Sequence, residues 1–428
     1  MGAAVAPAAA DAHGLPSPPG IPVPGFVFAW AAAFVLVVSF VALAKLWREP
    51  RLEGTSRSAW DLPGATRPIV QALSVALFVL LIAAGISGSQ DPDGNLLPPF
   101  VYAAFWVGLV LVSVLFGDVF SALNPWRAIG EAAERLRRRP AFLAYPARLG
   151  RWPAALTIAG FAWLELVYVH KADPSTLGWI ALGFAALQIV GYALFGVEAW
   201  SQNGDGFAVY FNLFGRLALL RRRPLLSGVA ALDARPGTIA LLCAMVGSTS
   251  FDGLTATSTW RSALPHFYDA IDSGTAVGTI GLLVMIAIIA GVYRAGVNGM
   301  RLEAPDAEGR ALALRFVHSL VPIAAGYVLA HYIGFLVDQA QLLWVLASDP
   351  FGHAEHVVHY HSIGKTTIWI LQVGALVAGH IGGLVLAHDR AIVDFPDADT
   401  AQRSQRWMLT VMVGYTGLGL WLVSSVAR

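Results

Sequence analysis

The chain has 428 residues, of which 57% are hydrophobic and only 13% charged, and its mean hydropathy is +0.63. Soluble domains carry roughly 25% charged residues, whereas here the 28 basic and 27 acidic side chains are gathered between long apolar runs. That excludes a soluble globular enzyme, a disordered chain and a nucleic-acid binder, and leaves a polytopic membrane protein whose main partner is the lipid bilayer. The net charge of +1 points to no acidic partner. The single cysteine, Cys243, sits inside an apolar run, so no structural disulfide and no cysteine metal site can form.

Residues 1–24 have neither a basic start nor a long apolar stretch and read as a flexible Ala/Pro-rich extracytoplasmic tail. Within them, Ala10-Asp11-Ala12 before His13 has the small-x-small form of a cleavage site. Beyond the tail, residues 25–428 form one membrane domain. Every backbone group in hydrocarbon must bond internally, so each run of about 20 apolar residues predicts a helix. Ten such runs follow, over residues 25–44, 69–88, 100–116, 152–169, 177–196, 237–251, 276–292, 316–337, 366–386 and 407–426. The sixth is short and ends in Gly247-Ser248-Thr249-Ser250, which suggests a broken or half-length helix. If both termini lie outside, 24 of the 28 basic residues fall in the five inner loops. Only Lys171, Arg261, Lys365 and Arg428 remain outside. The fold class expected is an all-α integral membrane bundle of about ten transmembrane helices.

An internal echo accompanies this pattern. Gly117-Asp118-Val119-Phe120 with Asn124 resembles Gly204-Asp205-Gly206-Phe207 with Asn212. Spans two–three and four–five then form a duplicated hairpin, or the match is coincidence.

Ionisable groups at membrane depth are costly and mark functional sites by default. Histidine is the informative residue, because eight of eleven lie between His318 and His388. The outer loop 338–365 holds His353, His356, His359 and His361, and the eighth span carries His331 about 9 Å below its expected outer end. Neutral imidazoles with a carboxylate can hold zinc or copper, so His331, His356, His359 and His361 form a candidate metal set. Asp252, in the hydroxyl-rich stretch after the sixth span, is the candidate general base. His318, His380 and His388 form a second polar set. It could hold one haem b, for instance between His318 and His380, or serve only structure. Glu165, mid-span in Phe161-Ala-Trp-Leu-Glu-Leu-Val, needs a partner or lines a cavity. No nucleophile elbow, Walker loop, dinucleotide turn or CxxCH haem site is present.

Several segments together carry a family resemblance. They are Phe28-Ala29-Trp30, Asn124-Pro125-Trp126-Arg127, Gly247-Ser-Thr-Ser-Phe-Asp-Gly253, Leu320 through Tyr332, Gln372 through His380 and Ala387-His388-Asp389-Arg390. The chain in these segments resembles bacterial, mainly actinobacterial, fenitrothion hydrolase-like membrane proteins. The resemblance implies hydrolysis of a hydrophobic organophosphorus ester in the bacterial cytoplasmic membrane, and it carries over no catalytic residues. Three functions are therefore expected candidates: a metal-assisted hydrolase at the outer face, a metal-ion or small-solute permease, and a haem-bearing electron-transfer subunit.

Overall fold

The computed structural model describes residues 25–52, 66–137, 141–303, 308–353, 358, 363–395 and 397–425. All regular structure among them is helical. The helices that matter here are α1 (Gly25–Leu46), α2 (Arg67–Ser87), α3 (Leu97–Phe116), α4 (Pro125–Arg137), α5 (Trp152–Leu166), α6 (Pro174–Phe195) and α7 (Gly206–Gly215). They are followed by α8 (Thr238–Thr255), α9 (Ser258–Ala270), α10 (Gly274–Arg301), α11 (Leu320–Leu346), α12 (Lys365–Asp394) and α13 (Ala398–Ser425).

Seven helices among the described residues are long and apolar enough to cross a membrane: α2, α3, α6, α8, α10, the run ending in α11, and α12. The chain is thus a multi-pass membrane protein. The expected first, fourth and tenth spans are also helices, but α5 has only 15 residues and none of the three belongs to the seven. Large apolar side chains such as Trp30, Phe34, Leu73, Trp179, Leu187 and Leu283 face outward, as lipid contact requires. Two spans are central. In α8 and in the run ending in α11, 72% of the apolar window is buried, against 22–50% elsewhere.

Small residues bring the central helices close. A Cβ on Gly326 of α11 would stand 3.1 Å from Gly379 Cα of α12, so these two helices cross backbone to backbone. The sixth span is not broken. α8 runs unbroken for 18 residues, because Ser248, Thr249 and Ser250 each donate back to a carbonyl three or four residues earlier. The hydroxyls that suggested irregular backbone are consumed within the helix.

One short helix was not expected. α7, ten residues long, is buried over nearly its whole surface and packs between α3 and α5. Too short to span, it inserts Phe207, Tyr210, Phe211 and Phe214 into the bundle. Its entry is fixed by the echoed Gly-Asp sequences. Asp118 Oδ1 accepts from Ser121 N and Asp205 Oδ1 from Ala208 N, each capping the turn that follows. The second oxygens are exchanged: Asn212 Nδ2 donates to Asp118 Oδ2 and Asn124 Nδ2 to Asp205 Oδ2, both at 2.8 Å. The two echoed segments clasp each other reciprocally at the arginine-rich end of the bundle.

At that end α4 lies against α2 and α6. Glu131 of α4 accepts from Arg67 (2.6 Å), Gln71 (2.8 Å) and Arg127 (3.0 Å). Burial alone would push its carboxyl up, but the Gln71 amide and the Arg127 and Arg67 guanidiniums hold it below the ordinary glutamate value. A carboxyl depressed by folding adds stability above its unfolded pKa of about 4.3. That stability is lost as pH falls through the folded value. Glu131→Gln should therefore lower the melting temperature at neutral pH and lose that deficit in acid. A deficit of equal size at neutral pH and at about pH 3 would contradict the assignment.

Candidate functional site

The end of the bundle opposite the arginine-rich end gathers ionisable groups from four helices. Asp252 lies one turn from the end of α8. α11 presents His331 and Tyr332 to it: His331 Nε2 is 2.8 Å from Asp252 Oδ2, and Tyr332 OH donates to the same oxygen at 2.7 Å. The expected eighth span ended at residue 337, whereas α11 runs on to Leu346. His331 therefore lies about 22 Å below that helix end at about 1.5 Å per residue, near the middle of α11. Its side chain is 10% exposed and that of Asp252 is 20%. The pair is neither fully sealed nor freely solvated.

A second carboxylate stands beside this pair. Glu165, one residue from the end of the short α5, is half-buried. Its neighbours Trp163 and Leu166 pack together with Leu254 against the cluster of Phe251, Leu282 and Met285, so this end of α5 meets the stretch of α8 that carries Asp252. The α3 wall is unusual. Residues Phe100–Gly108 form a π-helix directly after Pro98-Pro99, where the ladder has no N–H to donate. Such segments recur at functional sites. This one packs on α11 and carries Tyr102 and Trp106. Tyr102 OH donates to Lys171 O at 2.7 Å, fastening α3 to the turn after α5. Trp106 stacks on Tyr210 of α7 with centroids 4.7 Å apart and meets Phe161 at 4.6 Å. The aromatic tip of α7 therefore lies at the floor of the site.

No protein family, curated protein or solved structure matches the chain.

Of the residues singled out from sequence, Asp252 and His331 come together, and Glu165 lies near them. His356, His359 and His361 fall outside the described residues, as does the expected tail over residues 1–24. His353 stands on the surface, 3.5 Å from Asp349. Among the described residues no three His, Cys, Asp or Glu side chains are grouped closely enough to hold a metal.

The second histidine set is dispersed into local bonds. His318, in a 3-10 turn before α11, hydrogen-bonds to the backbone at Arg315 and Leu386. His388 bonds Gln405 Oε1 through Nδ1 and the Trp47 carbonyl through Nε2. Its neighbour Asp389 accepts from Trp47 Nε1, Arg51 N and Leu52 N, so this pair anchors the segment after α1. His380 is fully buried, with Nδ1 on the Leu376 carbonyl and Nε2 unpartnered. Tyr332, Trp106, Tyr210 and the π-helix escaped the sequence reading. Only Pro98-Pro99 ahead of Tyr102 and Trp106 offered a signal.

Proposed function

We propose that the chain is an ion-coupled transporter of a small solute, with ten spans, both termini outside, in the bacterial cytoplasmic membrane. The observation that carries this reading is the Asp252 carboxylate, bonded by His331 and Tyr332 within a bundle of apolar helices. An ionisable pair placed there is costly, and its general use is to bind or pass an ion. α8 and α11, which supply it, are the two most buried spans. Partial exposure of Asp252 lets the site exchange with the outer side. The 24-to-4 division of basic residues supports the orientation.

The experiment is electrical. Purified protein in proteoliposomes is challenged with amino acids, carboxylates, amines, sugars and divalent metal ions, with and without a pH gradient. A current for one class that depends on the gradient is expected. Tags at the C-terminus and in the 338–365 loop should also be reached from outside, and a tag near Arg222 should not. A tag near Arg222 on the same side as the C-terminus would overturn the ten-span arrangement.

A second reading has one observation of its own. A carboxylate bonded to an imidazole is also the pair that activates water in hydrolases, and the family resemblance points to hydrophobic organophosphorus esters. Its metal-assisted form would require His331 and the loop histidines to hold zinc or copper. Release of a coloured phenol from such an ester by folded protein that carries no solute current would favour it.

A further inference from the structure

Below the Asp252–His331 pair, the structure leaves polar atoms unpaired around Glu165. Trp106 Nε1 and Tyr210 OH are both buried and have no hydrogen-bond partner. Trp106 and Tyr210 stack on each other, and Trp106 meets Phe161, which lies one turn before Glu165 on α5. Buried donors left open in this way mark a place for a small polar occupant. The charged and titratable groups facing Glu165 are Asp252 from α8, Tyr332 from α11, Lys171 from the following turn, Tyr102 from α3 and Tyr210 from α7. His331 bonds Asp252.

We propose that Glu165 and Asp252 share one exchangeable proton through water held by Trp106 Nε1 and Tyr210 OH, so that the coupling ion is a proton. The inference rests on the transport reading and names its ion. An indole N–H donates only, so it suits a water oxygen and repels a bare metal cation. Two carboxylates in mutual electrostatic reach do not both ionise readily, and one proton between them resolves the conflict. The transfer is balanced: the Glu165 O–H breaks as a water O–H forms. That water gives up a different proton to Asp252, and the reverse path restores the start.

Dicyclohexylcarbodiimide reports the proton directly, because it attacks only a protonated carboxylic acid in an apolar setting. Full-length protein in detergent is labelled across a pH series and the adduct located by mass spectrometry. We expect the adduct at Glu165, its yield falling as pH rises, and its loss in Glu165→Gln. In Asp252→Asn the second carboxylate is gone, so the pH range over which Glu165 is labelled should change. In Trp106→Phe one of the two donors that hold the water is gone, so the pH range of labelling should change as well. Unlabelled Glu165 in wild-type protein that melts normally, or a labelling profile indifferent to Asp252→Asn, would overturn the shared proton. The two readings fail separately. Labelling without any coupled current removes the transport reading alone, whereas a full proton-driven current in Glu165→Gln removes the shared proton and leaves transport standing.

Discussion

Asp205→Ala is expected to be the most damaging single substitution in the described fold. The carboxylate is fully buried and accepts from Asn124 Nδ2 (2.8 Å), Trp126 Nε1 (2.7 Å), Tyr192 OH (2.7 Å) and Ala208 N (3.0 Å). Truncation strands three buried side-chain donors and removes the cap of α7. Each stranded donor costs about 1–3 kcal/mol, and the cap about 1 kcal/mol. Allowing for relaxation, a total of about 3–5 kcal/mol follows. Scanned at one heating rate in detergent, the variant should unfold at least about 5 °C below wild type. Asp205→Asn keeps a single acceptor oxygen, enough for the cap alone, so it should fall between the two. A melting curve for Asp205→Ala that overlays wild type would show that the reciprocal clasp does not hold α7 in place.

The second large effect is at Asp252. Asp252→Ala leaves both His331 Nε2 and Tyr332 OH without their shared acceptor, which should cost about 2–5 kcal/mol. Tyr332→Phe removes one donor and one hydroxyl together and should cost about 1 kcal/mol. Combined, the two losses should fall short of additivity by about 1–2 kcal/mol, because the bond between them is counted in each single variant. Strict additivity in the thermal scans would mean that Tyr332 does not support the carboxylate. Asp252→Asn preserves shape and an acceptor oxygen. It should fold nearly as wild type while losing the charge that the transport account requires.

Much of the architecture can be read from composition, because a bilayer leaves the backbone few options. Each of the ten apolar runs overlaps a helix, and the Gly-Asp echo marks two segments that exchange hydrogen bonds. What escaped had physical reasons. α7 is half the length of a span and sits between Asn203 and Arg216, so no hydropathy window registers it. Its burial comes from Phe and Tyr side chains meeting α3 and α5, a tertiary event. The hydroxyl run of α8 looked irregular because Ser and Thr compete for backbone bonds, yet here they bond within a helix that continues unbroken to Thr255. His331 and Asp252 were conspicuous as ionisable groups near apolar runs. Their pairing across 79 residues of sequence depends on how α8 and α11 pack, which no local pattern encodes. Trp106 and Tyr210 looked like ordinary core aromatics, and only their unpartnered polar atoms set them apart.

The most direct test compares wild type with Asp252→Asn in proteoliposomes at equal incorporation, reading the initial current that an imposed pH gradient drives with the transported solute present. The account predicts a current in wild type that grows with the gradient, and none above protein-free liposomes in Asp252→Asn, although the variant melts near wild type. Equal gradient-driven currents in the two proteins would contradict it.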